Sequence, residues 1–427
     1  MSKASQLPRT IANGRSETNP GPIYPLAREI VNSARLVAPR RTAQPSYMKE
    51  INLLIVLDAF RAAGTSSRAA VARATGISPP TASKSVQQLV EAGLLVEDGR
   101  DAGTIGKPAT RIRFNAAYGA VLGIDLGGTH LRLAVSDLSG RIRGRSIEAI
   151  DPEVAPDAIL ARISQVGSRL LGEANQSLMA IGLATPGIVN AEAGTVVTAR
   201  NLKGWRDVPI GRMLEDAFGV PAVVENDVNA AALGERWHGA ARGHDSFLFV
   251  SIGTGVGAGL ILDGEIYRGT HFAAGEISLL PVGVPGDAAF LEDRGSGPGI
   301  VRRALELGFV GPADGRTTTD GVFAAAASGD EAARRAVEDG VNAIAFGTGV
   351  LMAAMDPSIV VLGGGVTTQG DAILRPVAEA IGNVVRLRCE VVLSELGIDA
   401  QLHGAVFVGL KRADVALVDR VRTRVNE

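Results

Sequence analysis

The stretch GIDLGGTHLRLAVSD, Gly123 to Asp137, predicts the fold of most of this chain. An apolar run leads into Asp125, the turn Gly127-Gly128-Thr129 follows, and apolar residues then alternate, which is typical of strand, tight turn and strand. Paired glycines let backbone N–H groups face an anion, and the threonine hydroxyl adds a donor. The carboxylate of Asp125 is suited to holding a metal-bound water. Taken alone, the motif fits an ordinary hairpin better.

A second copy of the pattern changes this interpretation. Phe247 to Gly264 reads FLFVSIGTGVGAGLILDG, again strand, glycine turn and strand. A third close-approach turn, Gly363-Gly364-Gly365, follows the apolar strand Ile359 to Leu362. The repetition predicts a duplicated α/β fold with a nucleotide cleft between its halves. The predicted phosphate- or nucleotide-binding residues are Asp125, Gly127, Gly128, Thr129, Gly253, Thr254, Gly255, Gly363 and Gly364.

Composition places the chain among cytoplasmic globular proteins. It has 427 residues, which suggests two or three domains, with 46% hydrophobic and 21% charged residues. No apolar run is long enough to predict a membrane span, and the N-terminus lacks the apolar segment of a signal peptide. The single cysteine, Cys389, excludes an internal disulfide framework and a multi-cysteine metal site.

Charge is distributed unevenly along the chain. Residues 1–118 contain 16 Lys and Arg against 8 Asp and Glu, a balance of +8. Of the 43 basic and 45 acidic residues in the whole chain, 27 and 37 lie in the remainder, a balance of −10. A basic front on an acidic body suggests that the front contacts nucleic acid, although a basic tail without a partner gives the same balance.

The order of signals predicts three regions. Residues 1–46 contain many prolines and are expected to be a disordered basic tail. Residues 47–117 are expected to be a winged helix-turn-helix domain, and residues 118–427 a two-lobed α/β domain. In the second region, a helix is predicted from Asn52 to Ala63 and another from Ser67 to Thr75, with a turn at Gly76.

The next helix has the features of a DNA-recognition helix. Ser78 is expected to cap it, Pro79 to open it, and Val86, Leu89 and Val90 to face inward. A glycine-rich hairpin follows, as expected of a wing lying along DNA. A three-helix packing module without a nucleic-acid role is the alternative. The predicted DNA-binding residues are Thr81, Ser83, Lys84 and Gln87 of the helix, and Arg100 and Lys107 of the wing.

In the α/β region, polar residues follow a short strand. A helix is predicted from Val208 to Phe218, and then a strand from Ala222 to Val224. This strand places Glu225-Asn226-Asp227 at its carboxyl end, where open α/β sheets bind ligands.

Together these motifs resemble the ROK family, named for repressors, open reading frames and sugar kinases. The similarity spans Asn52 to Leu410, and its attached winged helix resembles that of the repressor branch. It implies a duplicated actin-like, ribonuclease-H-like ATPase fold. It rests on motifs that occur in order: DLGGT at 125–129, ATPGIVN at 184–190, NLKGW at 201–205, END at 225–227, GTGVGAG at 253–259, AGE at 274–276 and LGGG at 362–365.

The resemblance also implies roles for individual residues. In ROK sugar kinases the aspartate that matches Asp227 is the general base for the sugar hydroxyl, which suits a carboxylate at a strand end. The residues that match Asn226, Glu276 and Glu292 hydrogen-bond sugar hydroxyls. The implied sugar-binding set is Asn201, Asn226, Asp227, Glu276 and Glu292.

One part of the family pattern is missing. The family has Gly-Glu-Ile-Gly-His where this chain has Gly275 to Leu279, GEISL, so that leucine replaces a histidine that contacts sugar and binds zinc. The family's three zinc cysteines are absent from Pro281 to Leu291, and His238 and His271 are scattered alternatives. We therefore expect no structural zinc.

Three functions are compatible with the sequence. The leading hypothesis is a sugar-responsive transcriptional repressor that binds operator DNA as a homodimer or tetramer and needs no cofactor for DNA binding. The alternative is an ATP- and Mg²⁺-dependent sugar kinase with Asp227 as its base. A weaker third hypothesis is a sugar-binding scaffold that binds neither DNA nor ATP productively.

Overall fold

The computed structural model describes residues 45–100, 109–283, 289–312 and 316–426. The backbone forms two compact units, one of the residues up to Asn115 together with 424–427, and the other of Ala116–Thr423. Of the predicted tail, residues 1–44 lie outside the described residues, as does the tip of the predicted wing, residues 101–108.

The described part of the first unit contains three helices and a small sheet. The sheet has the order β1-β3-β2, and β2 and β3 form the predicted antiparallel hairpin. Its core includes the buried side chains of Leu57, Phe60 and Ile112. The elements are α1 (Pro45–Ala63), β1 (Thr65–Ser66), α2 (Arg68–Thr75), α3 (Pro79–Glu91), β2 (Leu95–Arg100) and β3 (Thr110–Phe114).

Helix α1 begins earlier than predicted. It starts at Pro45 and not at Asn52. Tyr47, Met48 and Ile51 lie at helical spacing in the segment between these positions, and the prediction did not use them. Proline is tolerated in the first turn because its missing N–H has no helical partner there.

The two helices of the helix-turn-helix are joined as predicted. The hydroxyl of Ser67 accepts a hydrogen bond from the N–H of Ala70, which caps α2, and Gly76 ends the helix with φ of 70°. Ser78 occupies the N-cap position of α3, but its side chain forms no capping bond and instead pairs with the hydroxyl of Thr81 at 2.8 Å. Val90, expected inside, is partly buried.

The second unit contains two five-stranded sheets with the same topology. In the first sheet, order β11-β7-β4-β5-β6, the hairpin β4–β5 pairs on one side with β6, and β4 pairs with the parallel strand β7. Its strands are β4 (Ala120–Leu126), β5 (His130–Asp137), β6 (Ile142–Ala149), β7 (Leu178–Thr185) and β11 (Ala222–Asn226).

The second sheet repeats this arrangement with the order β14-β13-β12-β15-β16. The hairpin β12–β13 again pairs with an antiparallel strand on one side and a parallel strand on the other. The predicted duplication of the hairpin is therefore confirmed as a duplication of the whole sheet. The strands are β12 (Phe247–Ile252), β13 (Val256–Leu262), β14 (Glu265–Ile266), β15 (Ile359–Gly363) and β16 (Glu390–Leu393).

A smaller sheet, β10-β9-β8, accompanies the first five-stranded sheet. Val208 lies in β10 and pairs with Val196, so the predicted helix over Val208–Phe218 begins only at Ile210. Pro209 explains the difference, because a residue that precedes proline is held in an extended conformation. The strands are β8 (Ile188–Asn190), β9 (Thr195–Thr198) and β10 (Arg206–Val208).

Nine helices are described in the second unit. Two of them, α6 and α12, approach closely: a Cβ on Gly404 of α12 would lie 1.8 Å from the carbonyl oxygen of Ala230 in α6, so glycine is required there. The helices are α4 (Pro156–Ala174), α5 (Ile210–Phe218), α6 (Asp227–His238), α7 (Leu291–Gly295), α8 (Gly297–Glu306), α9 (Thr319–Ala327), α10 (Glu331–Met355), α11 (Asp371–Val384) and α12 (Ala400–Asn426). No described helix is long and apolar enough to cross a membrane.

Candidate functional site

The glycine turns of both sheets open into one cavity of about 890 Å³ within the second unit. All five predicted sugar-binding residues line it, as do all predicted phosphate-binding residues except Gly363. Gly363 lies inside β15, where a Cβ would be 2.3 Å from the ring of Phe249, so its small size serves packing against that ring. Gly364, with φ of 90°, lines the cavity beside it.

In each hairpin turn the N–H of the first glycine donates to a carbonyl on the far side of the turn. The N–H of Gly127 donates to the carbonyl of His130 at 2.8 Å, and the N–H of Gly253 donates to the carbonyl of Gly255 at 2.9 Å. The next two N–H groups of the first turn, on Gly128 and Thr129, donate to no residue that the structure describes. Unpaired N–H groups in a glycine turn favour an anion there.

Asn226 and Asp227 stand where β11 passes into α6. The amide oxygen of Asn226 caps the helix by accepting from the N–H groups of Val228 at 2.9 Å and Asn229 at 3.0 Å. Its amide nitrogen donates to the carbonyl of Gly187 at 2.9 Å and to Oδ1 of Asp227 at 3.1 Å. All four hydrogen-bonding positions of the Asn226 side chain are thus used by the protein, and a sugar contact requires one bond to be exchanged.

Asp227 has an unusual protonation equilibrium. Burial is the main reason that its pKa rises from 3.8 to about 6, and the nearby carboxylates of Asp125 and then Glu276 add to the rise. Hydrogen bonding from the N–H of Val228 opposes it. A carboxylate with a pKa near neutrality is suited to taking a proton from an alcohol.

Asp125 is 2% exposed and forms an ion pair with Arg132. Nη1 of Arg132 donates to Oδ2 of Asp125 at 2.6 Å, and the two residues are direct partners across the β4–β5 hairpin. Burial raises the pKa of Asp125, and the guanidinium of Arg132 opposes that rise. Arg132 lines the cavity, although the sequence reasoning did not select it.

Two further carboxylates lie in the cavity. Desolvation raises the pKa of Glu276, and the positive charge of Arg200 opposes the rise. Oε2 of Glu292 accepts from the N–H of Val256 at 3.3 Å, which places this carboxylate against the second glycine turn. Leu279, at the position of the family's histidine, lines the cavity and is 49% exposed.

An ion pair between Glu225 and Arg268 lies next to Asn226 and Asp227. Glu225 is 1% exposed, and Nε and Nη2 of Arg268 donate to its Oε2 at 2.9 and 2.6 Å. Its Oε1 accepts from the N–H of Asn226 at 3.0 Å and from the side chain of Asn229 at 3.1 Å. Arg268 and Arg200, like Arg132, were missed because a single arginine carries no motif; the hairpin register alone could have indicated Arg132.

No group of His, Cys, Asp and Glu suited to a metal ion occurs in the described part of the chain. Leu279 provides no ligand, and His238 stacks on Trp237 with ring centroids 3.8 Å apart. The residues present do not fit the family's zinc site.

In the first unit, α3 presents a polar face to solvent. Ser83, Lys84 and Gln87 are exposed, and Thr81 is partly exposed. The side chain of Gln87 is held by Glu91, to which its Nε2 donates at 2.9 Å. Lys107 lies outside the described residues, and Arg100 is described only as part of β2.

Comparisons with known proteins agree with both units. The model of the ROK family matches residues 121–410, and the model of the IclR helix-turn-helix domain matches residues 52–99. A putative xylose repressor of Caldicellulosiruptor sp. (strain Rt8B.4) is 30% identical over 344 residues, which are 77% of this chain and 86% of that protein.

Solved structures give the same picture. A ROK family transcriptional regulator, a homologue of the E. coli MLC protein, has a TM-score of 0.72 and 24% identity over 88% of this chain and 99% of its own. A ROK family glucokinase from Streptomyces griseus, in complex with glucose and AMPPNP, has a TM-score of 0.60 and 29% identity over 69% of this chain and 100% of its own. The chain described here belongs to the ROK family.

Proposed function

We propose that this chain is a sugar-responsive DNA-binding transcriptional regulator, and specifically a repressor. One observation carries the proposal: a single chain contains both the exposed polar helix α3 and a ROK-domain cavity lined by several carboxylates. The helix-turn-helix match over residues 52–99 and the similarity of 77% of the chain to a putative xylose repressor favour a regulator over a kinase that lacks the first unit.

In this proposal α3 enters the major groove, and Thr81, Ser83, Lys84 and Gln87 contact DNA. Arg100 and Lys107 of the wing contact the phosphate backbone. The proposed DNA-binding domain is residues 47–117 and the proposed ligand-binding domain is residues 118–427, close to the division of the backbone after Asn115. A homodimer or tetramer matches a palindromic operator, and the cytoplasm is the compartment in which such a protein works.

The proposed effector is a sugar or sugar derivative that lies against Asn201, Asn226, Asp227, Glu276 and Glu292. Asn201 lies beside the first glycine turn, because a Cβ added to Gly128 would be 3.9 Å from the Cβ of Asn201. A sugar that bridges the two sheets would prefer one arrangement of the lobes, which is the requirement for a switch.

The test has two parts. Purified protein should retard a DNA fragment from its own upstream region at low salt, and isothermal titration should detect at least one monosaccharide. If no upstream fragment is retarded, the regulator proposal fails. If DNA is bound but every sugar is rejected, the proposed effector class is wrong.

A sugar kinase is the second candidate. The pKa of Asp227 near 6 favours it, because a base with that pKa is well matched to an alcohol at neutral pH. The similar glucokinase structure with glucose and AMPPNP points the same way. Against it stand Leu279 and the ion pair between Asp125 and Arg132. A coupled ADP-release assay across hexoses, with Asp227→Asn as the control, decides between the two.

A further inference from the structure

The ion pair of Asp125 and Arg132 affects how the first glycine turn can bind an anion. In a nucleotide cleft of this fold, the carboxylate near the end of β4 is the group expected to orient a hydrated divalent cation. Here Oδ2 of that carboxylate is held by Nη1 of Arg132 at 2.6 Å, and Arg132 itself lines the cavity. The positive charge beside Asp125 is therefore already supplied by the chain.

The pairing follows directly from the sequence. Asp125 and Arg132 face each other across the hairpin because the turn Gly127–Thr129 sets the register. In the second hairpin the corresponding pair is Ser251 and Gly257, which carry no charge. The charged pair is thus a local feature of the first turn and not a requirement of the duplicated fold.

A divalent cation fits this position poorly. Mg²⁺ requires carboxylate or phosphate oxygens in near-octahedral geometry, and a guanidinium within hydrogen-bonding distance of the same carboxylate repels it. The described residues contain no cluster of three carboxylates or histidines that could compensate.

The same arrangement is suited to a phosphate group. The N–H groups of Gly128 and Thr129 have no acceptor among the described residues, and Nε of Arg132 is buried without a partner there. Because Arg132 neutralises Asp125, this carboxylate repels an incoming phosphate less than a bare one would. Arginine is also the side chain best matched to phosphate oxygens.

We propose that Arg132 takes the place of a divalent cation beside Asp125, so that the first glycine turn binds a phosphate-bearing ligand without a metal ion. The recognised chemistry is a phosphate ester, from either a nucleotide or a phosphorylated sugar. This inference goes beyond the proposed function, because a regulator that responds to a neutral sugar needs no such site.

The experiment measures binding of inorganic phosphate, AMPPNP and glucose 6-phosphate to the full chain, by titration calorimetry and thermal shift, in EDTA and then with Mg²⁺. In EDTA, wild-type protein should bind inorganic phosphate, and in separate titrations it should also bind AMPPNP or glucose 6-phosphate. Mg²⁺ should not tighten the binding of inorganic phosphate. The probe that binds more tightly identifies the source of the phosphate. Absence of binding in EDTA, or inorganic phosphate binding that needs Mg²⁺, overturns the proposal.

Variants separate the role of Arg132 from general charge. Arg132→Gln should weaken binding in EDTA by about tenfold or more, and Mg²⁺ should restore part of it because Asp125 is then free. Arg132→Lys should keep metal-independent binding. The matched control is Arg143→Gln, which removes an Arg–Asp pair of the same 2.6 Å length at the opposite end of the hairpin and should leave binding unchanged.

Equal binding by wild type and Arg132→Gln in EDTA overturns the proposal, as does equal weakening by Arg143→Gln. If Arg132→Gln does not fold, the wild-type comparison with and without Mg²⁺ still decides. Operator binding with neutral sugars is measured separately, so a failure of the proposed function is distinguishable from a failure here.

Discussion

Arg268 donates two hydrogen bonds to a single oxygen of Glu225, at 2.9 and 2.6 Å, and so ties the first sheet of the ROK domain to the second. Glu225 ends β11 directly before Asn226 and Asp227. Arg268 follows β14 and begins the segment that leads to Glu276. The pair therefore fixes the relative position of two segments that carry predicted sugar contacts.

Breaking this pair should destabilise the domain. Arg268→Gln leaves the carboxylate of Glu225 buried with only its neutral donors, so we expect the free energy of unfolding to fall by about 2 kcal/mol. Sugar affinity should fall as well, because Glu276 loses its fixed position. Denaturant titration and calorimetry measure the two effects.

The control for this variant is Arg334→Gln. Arg334 pairs with Glu331 at 2.7 Å, but both side chains are more than half exposed, so the loss of stability should be clearly smaller than that caused by Arg268→Gln. Equal stability losses in the two variants would show that burial of Glu225 does not matter.

The raised pKa of Asp227 makes a prediction about pH. In the folded protein the pKa is about 6, against 3.8 for the free side chain, so the folded state binds more protons between these values. Stability due to this group is therefore present below pH 3.8 and is lost as the pH rises through about 6. Asp227→Asn removes the penalty, and it should raise the free energy of unfolding at neutral pH by about 1–3 kcal/mol.

Denaturant titrations of wild type and Asp227→Asn across this pH range provide the measurement. The difference between the two proteins should shrink towards zero as the pH falls to the lower value. A difference that is independent of pH would mean that Asp227 titrates normally in the folded protein.

Gly275 should not tolerate a side chain. Its φ is 86°, and a Cβ would lie 1.8 Å from the carbonyl oxygen of Ala258. Gly275→Ala should therefore cost about 2 kcal/mol or more and displace the adjacent Glu276. Thermal unfolding and sugar titration check both expectations.

Gly382 provides the opposite case within a helix. It lies inside α11, and a Cβ there would meet nothing within 4 Å. Gly382→Ala should stabilise the protein by about 0.5–1 kcal/mol. If Gly275→Ala stabilised the protein as Gly382→Ala should, the positive φ and the close contact described at Gly275 would be contradicted.

Lys84 should contribute an electrostatic contact to DNA. It is exposed on the polar face of α3. Lys84→Ala should weaken operator binding and, if the contact is to a phosphate, reduce the slope of log affinity against log salt by about 1. Lys203→Ala, which removes an exposed lysine of the second unit, should change neither quantity.

The sequence predicted the parts of the fold that depend on local patterns. We could predict both glycine hairpins, the strand before Asp227 and the helix-turn-helix, because the periodicity of apolar residues and the turn residues specify them. The predicted start of α1 was wrong, since the apolar residues at helical spacing before Asn52 were not used. In the site, motif residues such as Glu276 were predicted, whereas Arg132 and Arg268 were missed because their roles depend on cross-strand register and tertiary pairing.

If a sugar in the cleft controls operator binding, the affinity of the full-length protein for operator DNA must differ with and without that sugar, and this affinity can be measured for each sugar of a panel. Fluorescence anisotropy with an upstream DNA fragment should show at least one sugar that changes the dissociation constant by about 5- to 150-fold. Tight DNA binding that no sugar alters, or no DNA binding at all, would contradict the account.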